Sequence, residues 1–379
     1  MNADSLSFEV EPGADHPPLD ADLERFSAAL DAYPAAFIGN PLQLLFLDDA
    51  EPIASAERYL KALDRPSLMD ERREYLADGH RPWPFPSLEV PSRPDPWELS
   101  VRLFQYWDRA VKILPIQGSI AQTVAGRAQH PRADVVLMVI ADGLSYYDLP
   151  PEVESEPRLV VGVSTTPFGY REVVGQPSLS RRLFSLGYKE QLGYTYYPPE
   201  EGTLSGDIFA QLSPTQIMRV REFDEVLHDV AQRPCLNAYL QVTVAGLDQI
   251  CHAHHDRPPR DYYLQNLLQR FDRLVDCLVT KKRRVLACLT SDHGILWREE
   301  LEGRVQLCGD LFTEDIRSPR YLKGHLLRPY GKPVTCQGQR FTLLGFPFMT
   351  RPLRANEWGV HGGISAWESL VPLRIVSAG

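Results

Sequence analysis

From residue 133 onward the chain breaks into short, nearly uninterrupted apolar runs: Val135 to Ile140, Leu159 to Val163, Ala238 to Val244, Val285 to Leu289 and Leu370 to Val376. A run of that length without polar alternation has no solvent face, so both of its sides must be covered by helices. The segments between the runs supply them. Ser178 opens a segment that ends before Gly187, and Asp261 to Val279 spaces Tyr262, Leu264, Leu267, Leu268, Phe271, Leu274, Val275 and Leu278 along one helix. Strand, helix, strand repetition predicts an α/β fold, a doubly wound and mostly parallel sheet.

Four regions are expected around that pattern. Residues 1–132 read as a mainly helical N-terminal region, with apolar spacing at Leu23, Phe26, Leu30 and at Tyr59, Leu60, Leu63. Six prolines within 81–96 forbid regular structure there and mark a linker, after which a helix is expected over Trp97 to Leu114. Residues 133–298 form the core, 299–357 interrupt it as an insertion, and 358–379 return to supply the last strand.

Charge is distributed unevenly. Residues 1–64 hold thirteen acids against three basic residues, which accounts for the whole formal charge of -10. The insertion has no Asp or Glu from Ile316 to Asn356 but carries eight Arg or Lys, among them Lys323, Arg328 and Arg340, together with His325. These four suit a polyanionic substrate, and Tyr321, Phe341 and Phe346 nearby could stack bases. A solvated basic face is the competing reading. No apolar run approaches the roughly eighteen residues of a membrane span, and Met1 to Glu11 is acidic rather than signal-like, so a cytoplasmic protein without a membrane partner is expected. The six cysteines form no C-x-x-C pair, which argues against a zinc ribbon or a redox dithiol.

Polar residues that terminate apolar runs are placed where open α/β sheets bind ligands. Asp142 ends V-V-L-M-V-I-A-D-G-L, and Asp292 and His293 end L-T-S-D-H-G. Asp248 and His252 stand four apart, on one face of a helix after the run Ala238 to Val244, with Cys251 as a competing ligand. His361 precedes two glycines at the entry to the last strand. Carboxylates and neutral imidazoles are suitable ligands for divalent metals. A helix cap at Asp142, a turn at Asp292 and a surface pair at 248 and 252 are the plainer alternatives, although a turn gives His293 and His361 no task. Thr166 follows the second run in V-G-V-S-T-T-P-F-G, where a metal-lowered hydroxyl pKa would make it a nucleophile, with Ser164 and Thr165 as alternatives.

The ordered set Asp, Thr, Asp-x-x-x-His, Asp-His-Gly, His-Gly resembles the metal-binding pattern of the alkaline phosphatase superfamily, nucleotide pyrophosphatase/phosphodiesterases included. The stretches A-D-G-L-S-Y-Y-D and H-G-G-I-S-A-W-E-S-L-V-P-L-R-I-V resemble the PglZ domain, which is associated with bacterial phage defence of the BREX type. The resemblance covers about 133–298 and 358–379. It implies an alkaline-phosphatase-like sheet and two divalent cations, zinc first and manganese second. Asp142, Thr166, Asp292 and His293 would hold one cation, and Asp248, His252 and His361 the other. It further implies a Thr166-dependent phosphodiesterase or nuclease acting on nucleic acid or nucleotides, with other defence proteins such as a methyltransferase or an ATPase as partners. Many PglZ proteins of defence operons are considerably longer, and a chain without their extra domains or a receiver domain is expected here. A phosphomonoesterase or phosphomutase is the enzymatic alternative, and a structural subunit of a defence complex is the non-enzymatic one.

Overall fold

The computed structural model of the protein describes residues 42, 45, 93–196, 216–220, 223–244, 246–253, 256, 259–308, 318–324 and 329–379. The helices expected before residue 81, most of the proline-rich stretch, His325 and Arg328 lie outside these residues. The chain forms two compact units, Met1–Pro94 and Asp95–Gly379. The fold of the second follows.

Three helices lead in: α1 (Pro96–Gln105), capped by the Asp95 carboxylate, α2 (Trp107–Ile113) and α3 (Ile120–Arg127). The single helix expected over 97–114 is broken at Tyr106, which lies outside helical geometry with φ -108° and ψ 31°. The first core strand is β1 (Val135–Ala141), followed by β2 (Glu156–Leu159), α4 (Thr166–Val174), α5 (Leu179–Ser185) with Ser178 as its cap, β3 (Glu190–Tyr196) and β4 (Gln216–Val220). Then come α6 (Phe223–Gln232), β5 (Ala238–Val244), α7 (Asp248–Ala253), α8 (Arg260–Val279) and β6 (Val285–Thr290). The insertion contributes β7 (Tyr321–Lys323), β8 (Gly331–Cys336) and β9 (Gln339–Leu344). The chain closes with the short α9 (Ala366–Ser369) and β10 (Leu370–Ala378).

The central sheet runs in the order β2-β10-β6-β1-β5-β3-β4. Its five strands from β6 to β4 are parallel, and β10 runs antiparallel to both β2 and β6. Every residue of β1 is buried, because alternate side chains serve opposite layers. Val135, Leu137 and Val139 pack with Phe223 and Val226 of α6 and Leu267, Phe271 and Leu274 of α8. Val136, Met138 and Ile140 pack with Ile120 and Val124 of α3, Tyr170 and Val173 of α4 and Leu183 of α5. The sheet is therefore doubly wound, as the apolar runs required. Leu137, fully buried between Leu240 and Ala287 of the flanking strands, sets the scale. Leu137→Ala should cost about 2–5 kcal/mol, read as a lower urea midpoint at unchanged slope.

One expected strand is corrected, and one strand was not foreseen. The run Leu159 to Val163 is not a core strand. The strand is β2, at a sheet edge, and residues 160–163 leave the sheet, with Val160 and Val163 buried in loop packing instead. Burial alone makes a run apolar, and it does not say what covers it. β3, by contrast, is an inner strand whose polar sequence E-Q-L-G-Y-T-Y concealed it. Buried Gln191 is satisfied there by Ser180 and by the carbonyl of Tyr188.

The insertion is built on the antiparallel sheet β8-β9-β7. Its cations do not all face solvent. Arg320 is fully buried against Glu368, and Arg351 forms a two-pronged pair with Glu357. Lys323 and Arg340 are exposed, and their side chains make no hydrogen bond or ion pair among the described residues. Phe341 and Phe346 are core residues, 3% and 5% exposed, so neither offers a face for stacking. Among the described residues no helix is long and apolar enough to cross a membrane.

Candidate metal centre

The carboxyl ends of β1, β5 and β6 lie side by side, and the residues that follow each strand converge there. Asp142 follows β1, held in place where its N–H donates to Val244 and its carbonyl accepts from Leu247. Gly143 allows the turn, with φ +78° and a Cβ position that would meet the Asp248 backbone nitrogen at 2.9 Å. After β5 the chain enters α7, whose first turn carries Asp248 and whose last carries His252. After β6 the turn Ser291-Asp292-His293 is fastened from within. Asp292 Oδ1 accepts from the N–H groups of His293 and Gly143, and Ser291 Oγ donates to the His293 carbonyl. Thr166 is the first residue of α4 rather than the last of a strand. The first turn of that helix presses onto the Asp292 backbone so closely that a Cβ at Gly169 would lie 1.9 Å from the Asp292 carbonyl oxygen.

These elements bring six of the seven sequence-derived residues into direct polar contact. Thr166 Oγ1 lies 3.3 Å from Asp142 Oδ1 and 3.3 Å from His293 Nε2. His293 Nε2 lies 3.2 Å from Asp142 Oδ1. Asp248 Oδ1 is 3.4 Å from both His252 Nε2 and His361 Nε2, which are themselves 3.4 Å apart. Asp292, the seventh, is fully buried and stands one step back, its Oδ2 at 3.9 Å from His293 Nε2. Two groups result, Asp248-His252-His361 and Asp142-Asp248-His293, each compact enough for one cation. Asp248 is common to both. Cys251 belongs to neither, since it is buried with its sulfur toward the backbone at Gly359.

The donor set fits divalent cations on two observations. The Nδ1 of His361 lies 2.9 Å from the Ser164 carbonyl, and the Nδ1 of His293 lies 3.2 Å from the Gly294 carbonyl. A carbonyl oxygen only accepts, so each Nδ1 carries the hydrogen and each Nε2 aims its lone pair into the cluster. There the lone pairs face carboxylate oxygens, and that of His361 also faces His252 Nε2, which requires a proton or a cation between them. Asp248 Oδ1 is moreover buried with only the long 3.4 Å contacts to His252 and His361 to satisfy it, a costly state that a cation relieves.

Protons occupy that role in the metal-free cluster. Burial pushes the Asp142 carboxyl well above its ordinary range, and the Asp292 and Asp248 charges push it further. Burial raises Asp292 as well. For Asp248 burial is outweighed by the bond to His252 and by the other two imidazoles, which hold it well below the carboxylate range. Burial would lower His293 and His252, but the Asp292 and Asp142 carboxylates take the first up to about 10, and the bond to Asp248 takes the second up to about 11. His361 goes the other way, lowered to about 3 by burial and by the neighbouring His293. Ligation requires neutral imidazoles, and two are held protonated, so cation uptake must displace protons. Affinity should therefore fall as pH falls from 8 to 6, and titration calorimetry at one pH in buffers of different ionisation heat should show net proton release. An affinity that is flat over that range would contradict the ligand set.

Two supporting residues carry no local sequence signal for their task. Ser164, fully buried, accepts from the Gly362 N–H through its hydroxyl at 2.7 Å and from His361 through its carbonyl. Its hydroxyl is thereby committed behind the His361 loop, while Thr166 Oγ1 faces the cluster. Gln117 donates to the carbonyls of Ser291 and Asp292 at 3.0 and 2.6 Å, across more than 170 positions of sequence. Of the residues expected to bind substrate, Lys323 and Arg340 are exposed on the insertion sheet.

No protein-family model and no curated protein matches the sequence. Among solved structures the chain is similar to murine ectonucleotide pyrophosphatase/phosphodiesterase 5, an inactive variant in complex with AMP. That similarity covers 65% of this chain and 88% of the other at 10% identity and a TM-score of 0.40. It is also similar to the periplasmic domain of phosphoethanolamine transferase EptC from Campylobacter jejuni, at 65% and 79% coverage, 10% identity and TM-score 0.34. TAB5 alkaline phosphatase matches over 64% and 91%, at 9% identity and TM-score 0.27. Likeness this distant carries no functional weight.

Proposed function

We propose that the protein is a metal-dependent phosphoric ester hydrolase that cleaves phosphodiester bonds of nucleic acid or nucleotides, with Thr166 as nucleophile and two divalent cations, zinc before manganese. The observation that carries this reading is Thr166 Oγ1 standing 3.3 Å from both Asp142 and His293 at the mouth of two adjoining ligand groups that share Asp248. Asp248, His252 and His361 would hold one cation, and Asp142, Asp292, His293 and Thr166 the other. When bound, such cations neutralise charge on the phosphoryl oxygens and favour an ionised hydroxyl.

The chain's own residues do the rest. Asp142 orients the Thr166 hydroxyl and accepts its hydrogen bond. The N-terminal end of α4, at which Thr166 stands, favours negative charge on that oxygen and on an arriving phosphate. Attack of Oγ1 on phosphorus, its proton passing to Asp142, forms a threonine phosphodiester that keeps one ester group, as the other ester oxygen departs with its electron pair and takes up a proton. Water then breaks the bond from phosphorus to Oγ1, restoring the threonine hydroxyl and releasing a phosphate monoester. Lys323 and Arg340 supply exposed charge for a polyanion, joined in this proposal by His325 and Arg328. A place in phage defence, with a methyltransferase or an ATPase as partner, follows from the motif resemblance and is part of the same proposal.

The test compares bis-p-nitrophenyl phosphate with p-nitrophenyl phosphate as substrates, before and after chelation. Diester cleavage that stops on chelation and returns with zinc or manganese is the expected result. Preference for the monoester would replace the proposal with a phosphomonoesterase. Bound metal without cleavage of either would replace it with a structural subunit.

A further inference from the structure

The insertion is joined to the core by a buried guanidinium-carboxylate pair, and the hydrogen bonds of that pair lead to both imidazole-bearing loops. Arg320 and Glu368 are each 0% exposed. Arg320 Nε and Nη2 donate to Glu368 Oε1 and Oε2 at 3.0 and 2.8 Å. Nη1 donates to the carbonyls of Phe348 and Gly345, and Nη2 also donates to the carbonyl of Ile364. The five guanidinium N–H groups thus meet enough acceptors to satisfy them all. Glu368 is as fully engaged. Its Oε1 accepts from the Gly363 N–H at 3.0 Å, its Oε2 from the Ser365 hydroxyl at 2.7 Å, and its carbonyl from the Gly294 N–H at 3.2 Å. Gly363 is two residues past His361, and Gly294 is next to His293. The Gly363 Cα also lies so close to the guanidinium that a Cβ there would be 2.8 Å from Nε.

We infer that Arg320 and Glu368 are positioning residues for the metal centre: the pair fixes the direction in which His361 and, through Gly294, His293 present Nε2, and so makes the insertion part of the site. The inference rests on the proposed metal centre for its effect on affinity, but not for its effect on His361 itself. A pair this deeply buried is weak evidence for stability, since apolar residues of similar size often replace such pairs at no loss. That property separates positioning from mere support. An Arg320→Met/Glu368→Met double variant can pack the same space without holding Gly363, Ile364 or Ser365.

The experiment labels the histidines with 15N and reads the His361 tautomer and shifts by long-range 15N–1H correlation. It also measures zinc affinity and thermal midpoint in the wild type, the double variant and Arg320→Lys. The wild type should show the Nδ1–H form at His361. The double variant should keep most of the wild-type thermal stability, lose that single tautomer signature, and bind zinc about 10–100-fold more weakly. Arg320→Lys keeps the charge but cannot reach all five acceptors, so it should move the same signals, and it serves where the double variant does not fold. Unmoved His361 signals and wild-type zinc affinity in a folded variant would overturn the inference while leaving the metal centre standing. A wild type with the Nδ1–H signature that takes up no zinc, with the signature lost in the variants, would overturn the metal centre and leave the pair's role intact.

Discussion

Thr166→Ala is expected to reduce diester cleavage by on the order of 1,000-fold or more while leaving the fold and the metal content intact. The side chain is only half-buried, and its hydroxyl bonds to Asp142 and His293 rather than to the core, so little stability depends on it. Every carboxylate and imidazole of the two ligand groups remains. Thr166→Ser keeps an oxygen at the same place and should retain a measurable fraction of the rate. Ser164→Ala makes the contrast. It removes the acceptor of the Gly362 N–H, so it should weaken metal retention through His361 rather than abolish chemistry at full metal occupancy. Steady-state rates normalised to bound metal separate these outcomes. Full activity in Thr166→Ala would show that Thr166 does not supply the attacking oxygen.

The single variant Arg320→Met should be among the most destabilising substitutions in the molecule, by about 3–5 kcal/mol. It leaves the Glu368 carboxylate fully buried with no countercharge, and it strips donors from the carbonyls of Gly345, Phe348 and Ile364. Uncompensated charge, not the loss of attraction, dominates the cost, so adding Glu368→Met should recover most of it. Denaturant unfolding of the two single variants and the double variant measures this directly. Equal stability in Arg320→Met and the wild type would mean that the carboxylate is protonated or solvated.

Much of the site was legible because its residues stand at strand ends, and strand ends can be read from apolar runs. Asp142 after β1 and Asp292-His293 after β6 are of this kind, and helical spacing puts Asp248 and His252 on one face without separating a ligand pair from a surface pair. The support around them was not legible. Gln117 and Ser291 are joined across the fold, as are Arg320 and Glu368, and no local pattern announces such a pair. In the sequence Arg320 is one of the eight cations of the insertion, with nothing to set it apart as buried. The fold failed to be read in the same places for a related reason. β3 is polar because Gln191 and Tyr194 find partners in the surrounding structure, while residues 160–163 are apolar because a loop is buried, not because a strand is.

The most direct test of the account is anomalous diffraction at the zinc edge from crystals of the wild-type protein grown with zinc. Two peaks are expected, one among Asp248, His252 and His361 and the other among Asp142, Asp292, His293 and Thr166. No peak in either place, or zinc bound only elsewhere on the surface, would contradict the proposed centre.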